Sequence, residues 1–157
     1  MTEQTQPPQV QPVLLYGTAA GTAASLHDGT ATWRWRTHEE LLLQLDGPFG
    51  DPITVAAPDL HRALLVLGGQ LPSGWLPVVQ AARRDAWHST SSHPCRFDEV
   101  RLYPEFGAPP AATPVPALDT PDVAVWSHLA RPSQAWLYHQ EWAGQPRELS
   151  WSAVYGA

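Results

Sequence analysis

Lysine is missing altogether from the 157 residues, so all nine basic side chains are arginines. Without a lysine amine no Schiff base can form with a cofactor or a carbonyl substrate, and neither the P-loop nor the protein-kinase arrangement is possible. Asparagine is missing too, which removes every N-glycosylation acceptor. Ile53 is the one isoleucine. This joint scarcity reads as the codon bias of a GC-rich genome. Cys95 is the single cysteine, so no intrachain disulfide can form and nothing points to an oxidising compartment.

Positive charge is scarce as well, and the formal net charge is −6. Nucleic-acid affinity comes largely from clustered cations, so nucleic acid is not expected as a partner. Long apolar runs are also lacking. The uncharged and largely apolar stretch 63–82 is broken by Gly68, Gly69, Pro72, Ser73, Gly74 and Pro77, so no membrane span is expected. The opening MTEQTQPPQVQP has neither the positive start nor the apolar run of a signal peptide, and the expected location is cytoplasmic.

Hydrophobic residues make up 43% of the chain and charged residues 15%, enough for one domain with a real core. Residues 1–12 read as a disordered lead-in, and 13–157 as a single globular domain containing a proline-rich spacer at 107–121. Val13–Tyr16 reads as a strand. The small-residue stretch Gly17–Thr22 after it lacks both G-x-G-x-x-G and G-K-[ST], so it reads as a plain loop. Asp28-Gly29 is a hairpin-turn signal leading to a strand, Thr32–Arg36, with Trp33 and Trp35 on one face.

Thr37 and Glu40 match a capping box and predict a short helix over 38–46, with a strand over 41–45 as the rival. Ile53–Ala57 reads as a strand. Pro58 and Asp59 then open a helix carrying Leu60, Leu64 and Leu67 on one stripe. A second helix is predicted over 75–87, and an edge strand over 97–103. Thr120-Pro121-Asp122 is a helix start, with Pro132 as its stop. Finally, Trp136, Tyr138, Gln140 and Trp142 alternate with Leu137, His139 and Glu141, and Leu149, Trp151, Ala153 and Tyr155 alternate again. Together they predict an aromatic hairpin at the C-terminal end.

These elements imply an α+β fold: a single domain built on a mainly antiparallel sheet of about five strands, with two or three helices on one face. A parallel α/β arrangement is the alternative. Site chemistry gathers in one place, where His88, His93, Cys95 and Asp98 share a Ser-rich loop. Two imidazoles and a thiol could hold a metal or form a cysteine nucleophile with its base, but H-x₄-H has no second knuckle. The favoured reading is a non-catalytic protein-interaction module, a subunit or inhibitor, without a cofactor. It would meet a protein partner, or a second copy of itself, through Trp136, Tyr138, Trp142 and Trp151. The alternatives are a metal protein or enzyme centred on His88, His93 and Cys95, and a single-strand nucleic-acid binder using Trp33–Arg36.

Overall fold

Alternation of side chains sets the main sheet. In β1 (Gln9–Gly17), β3 (Leu41–Asp46) and β4 (Ile53–Ala57) the buried residues recur at every second position. With the long β2 (Ser25–Trp35) and the short β5 (Leu76–Val78) they make one curled antiparallel sheet in the order β4-β3-β2-β1-β5. The computed structural model describes residues 7–18, 23–88, 95–103 and 110–142. Opposed residues form rows across the sheet: Trp35, Leu41 and Ala57; Trp33, Leu43 and Val55; Ala31, Leu45 and Ile53. Opposed side chains point to the same face, so these rows and Val13 and Leu15 make one apolar surface.

α1 (Leu60–Gln70) covers that surface with Leu60, Ala63, Leu64 and Leu67. Asp59 is its N-cap, accepting the Arg62 backbone N–H at 2.7 Å. The helix passes through Gly68 and Gly69 and ends at Leu71, whose extended backbone (ψ 142°) is what the following Pro72 favours.

A second antiparallel sheet, β6 (Ala86–Trp87), β7 (Glu99–Leu102) and β8 (Val115–Pro116), runs in the order β6-β7-β8. Its Ala86 and Val100, and Ala117 and Leu118 beyond β8, join the same buried cluster. Two 3₁₀ turns, Gln80–Ala82 and Val123–His128, and α2 (Pro132–Trp142) complete the described chain. The architecture is thus α+β. Among the described residues no helix is long and apolar enough to cross a membrane.

Several local expectations are corrected. β1 begins at Gln9, ahead of Val13, because Gln9–Pro12 pair with Thr30–Trp33 of β2, and ladder pairing orders them despite their polarity. Asp28 and Gly29 are inside β2, opposite Leu14 and Val13, and make no turn. Thr37 caps no helix. Its hydroxyl accepts the Glu39 N–H, while the N–H groups of Arg36 and Thr37 both donate to the Glu40 carbonyl, a tight turn that delivers Leu41, Leu43 and Leu45 into β3. The segment 75–87 is β5, a 3₁₀ turn and β6 where one helix was expected. Pro77 suits an edge strand and breaks a helix, and Leu76–Val78 pair with Leu14–Tyr16.

The proline-rich stretch is no spacer where it is described. Val115–Pro116 pair with Glu99–Val100, and Ala117 and Leu118 are buried. Asp122 does cap a helical segment, although a 3₁₀ one, and Pro132 starts a helix instead of ending one. The largest correction falls on Trp136–Trp142, which is helical and not a strand. Pro132 sits in the first turn, and the Gln134 side chain accepts the Arg131 N–H at 2.9 Å, the reach-back of a capping box. The expected partner strand, 149–155, lies outside the described residues.

Gly29→Ala is expected to destabilise the fold by about 1–3 kcal/mol, because the added carbon would stand 2.6 Å from Leu15 Cδ1 and 2.9 Å from the Asp46 carbonyl. Gly69→Ala in α1, where an added carbon meets nothing within 4 Å, is expected to stabilise by about 0.4–1 kcal/mol. Urea-unfolding midpoints of the two variants check both signs.

Candidate functional site

β6 hands the chain to His88 beside the start of β7, and Cys95 re-enters next to it. Cys95 Sγ lies 3.5 Å from His88 Nδ1, donates to the His88 carbonyl and reaches the Glu99 carbonyl at 3.5 Å. On the other side of the ring, His88 Nε2 stands 3.9 Å from Asp59 Oδ2. The fold therefore joins two of the predicted residues and adds Asp59, distant in sequence and not anticipated. The order thiol, imidazole, carboxylate is one by which a histidine can activate a nucleophile.

The electrostatics work against that activation. Burial, followed by the Glu99 carboxylate, pushes the Cys95 thiol from 9.0 up to about 11; Asp59 and Asp98 push the same way and Arg101 only partly opposes them. The resting group is a protonated thiol whose hydrogen goes to carbonyl oxygens.

A metal fits these donors no better. An imidazole nitrogen binds an ion along its own lone pair, and here the thiol is at Nδ1 while the carboxylate is at Nε2, so the two diverge. Asp98 is 3.5 Å from Arg96 Nε and lines a different groove with Gln9, Trp33 and Leu118. His93 lies outside the described residues. Among the described residues no group of three or more His, Cys, Asp or Glu is placed to hold a metal.

Trp33 and Trp35 share a face, as expected, but both rings pack edge-on against Phe97, at 5.5 and 4.9 Å between centroids. Arg36 is paired with Glu40. Both indole rings are thus partly buried against the core.

The C-terminal aromatics divide. Trp136 is buried, 6.2 Å from Trp87, whose ring in turn meets His61 at 5.2 Å. Tyr138 is half-buried; its hydroxyl donates to the Tyr103 carbonyl at 2.8 Å, and the Arg84 guanidinium lies 5.6 Å over its ring. Burial first, and then the Asp85 carboxylate, raise its phenol, against Arg84 and Arg83. The Trp142 side chain and all of Trp151 lie outside the description.

Tyr138 opens onto a groove of about 290 Å³ between the Val123–His128 turn and α2, lined by Arg84, Ser127, Leu129, Gln134, Leu137 and Tyr138. Leu137 is 59% exposed there. Main-chain bonds fix the walls: Arg84 N–H to the His128 carbonyl at 2.7 Å, and Ala130 N–H to the Ala82 carbonyl at 3.0 Å. Close by, Arg83 grips Asp85 with two bonds of 2.7 and 2.6 Å, and both side chains are buried. That leaves Asp85 committed, and among the described residues Arg84 enters no ion pair. The run Arg83-Arg84-Asp85 reads in the sequence as the wet side of a helix, so the opposite fates of the two arginines were not legible there.

Two outcomes test this geometry. Alkylation of native Cys95 should be about a hundredfold slower at neutral pH than that of a thiol at its ordinary value, and its pH–rate profile should bend near about 11. The same shift makes this group's contribution to stability complete below pH 9.0 and lost as pH rises through about 11, because the unfolded chain releases the proton first. Separately, Asp85→Ala strands a buried guanidinium and should cost about 3–5 kcal/mol in urea unfolding.

Neither a protein-family model nor a curated protein sequence matches the chain.

Proposed function

We propose that the protein is a non-catalytic binding module that holds a segment of a protein partner in the groove between the Val123–His128 turn and α2. The observation that carries this reading is the exposed Leu137 beside an arginine that stands 5.6 Å from the centre of the Tyr138 ring and, among the described residues, has no acidic partner. Arg and Tyr are over-represented among residues that dominate binding energy, and here the two stand side by side at the groove. The volume, about 290 Å³, is at the lower end of small-molecule sites and suits one or two side chains of a docked segment.

The groove's chemistry defines the segment: an aliphatic side chain against Leu129 and Leu137, and a carboxylate on Arg84. A net charge of −6 over the whole chain disfavours acidic partners that do not fit this point, which adds selectivity. The raised thiol of Cys95 supports the non-catalytic part of the reading.

Affinity capture from the native cell tests it, run with wild type, Arg84→Ala, Leu137→Glu and the outer-sheet control Gln44→Ala. The expected result is a protein retained by wild type and by the control, and weakened about tenfold by Arg84→Ala, equivalent to about 1.4 kcal/mol. Capture profiles that do not change between wild type and the two groove variants would remove the groove as the contact surface.

A further inference from the structure

The two edges of the main sheet are unlike. β5 closes one with three residues, among them Pro77, which has no N–H to offer; Val78 and Val79 are buried, and a 3₁₀ turn follows at once. β4 leaves the other edge open. Among the described residues it pairs with β3 alone, and its five residues, Ile53–Ala57, include no proline, no glycine and no charge. Natural edges are commonly blunted by lysine, by a bulge or by an inward charge, since unpaired backbone groups there template another strand. This chain has no lysine to use.

We infer that β4 pairs with β4 of a second copy of the chain, antiparallel about a two-fold axis at Val55, so that two five-stranded sheets become one of ten strands. A closed two-fold contact uses the same edge twice and leaves none over. The strand's own sequence favours its twin as the occupant. Pairing about Val55 sets Thr54 opposite Ala56 on the outer face, and half-buried Ile53 opposite Ala57 on the inner face.

No charge then faces a like charge within the ladder. Self-association through the neighbouring outer face would bring together the carboxylates of β2 and β3, Asp28 and Asp46. Pro52 falls opposite Pro58 in this register, and a slip would push a proline into the ladder, so the two ends define a partner of matching length. Five residues make a contact well below the roughly 1,200–2,000 Å² of standard interfaces, so the pairing is reversible and concentration-dependent.

Sedimentation velocity of the full chain, from low micromolar to several hundred micromolar, tests the inference beside a Thr54→Lys/Ala56→Lys variant; both side chains are exposed, so the monomer should keep its circular dichroism and its unfolding midpoint. A single Ala56→Lys change serves if the double change disturbs the fold. The expected result is a mass that rises from 17.2 kDa toward twice that value for wild type and stays at 17.2 kDa for the lysine variant. A wild type at 17.2 kDa throughout, with or without exchange-protected β4 amides, overturns it, and so does a dimer that the lysine variant forms equally well.

Discussion

Leu15 has no exposed surface, and it reaches that state because two of its neighbours have no β-carbon. A carbon on Gly29 would stand 2.6 Å from Leu15 Cδ1, and one on Gly47 would stand 2.4 Å from it. Both distances lie far inside contact, so only glycine lets β2 and the end of β3 close over the leucine from two sides. The same condition holds at Gly17, where an added carbon would enter the ring of Trp75. Much else depends on this closeness. The sheet is curled, and α1 packs on its apolar face with Leu60, Leu64 and Leu67.

This constraint also explains why part of the fold was legible in the sequence and part was not. Period-two and period-3.6 patterns report which side of an element is apolar. They made β4, β7 and α1 readable, since Val55 and Ala57 alternate and Leu60, Leu64 and Leu67 recur on one stripe. A glycine required by a distant side chain gives no local sign of it. Asp28-Gly29 carries the composition of a turn and the function of a close approach, and only the position of Leu15 separates the two. Trp136–Trp142 misled for a different reason. Four aromatic or polar residues at alternate positions mimic a strand, while the helix is specified one turn earlier, by Pro132 and Gln134, and the buried pair is Ala135 and Trp136, which no strand could place on one face.

At the candidate sites the sequence supplied the residue types and the fold decided their states. His88 and Cys95 do meet, as their spacing allows, yet burial first, and then the carboxylates of Glu99 from β7 and Asp59 from the cap of α1, keep the thiol protonated. A cysteine beside a histidine is a nucleophile only where positive charge exceeds negative around it. Tyr138 belonged to the predicted binding set and does line a groove. Its neighbours there, Arg84 and Leu137, come into view only once the Val123–His128 turn is placed against α2.

The absence of lysine connects the structural and functional readings. A lysine ammonium is a strongly hydrated point charge on a flexible stem, whereas a guanidinium is planar and can be bound on its edge or stacked on its face. Two adjacent arginines of this chain are placed differently: Arg83 gives its edge to Asp85 in a buried two-bond pair, and the Arg84 guanidinium stands 5.6 Å from the centre of the Tyr138 ring. The Arg83 guanidinium is thereby held by two bonds, while Arg84 enters no ion pair among the described residues. The same composition leaves the outer strand of the sheet, β4, without lysine, a residue that commonly guards such an edge.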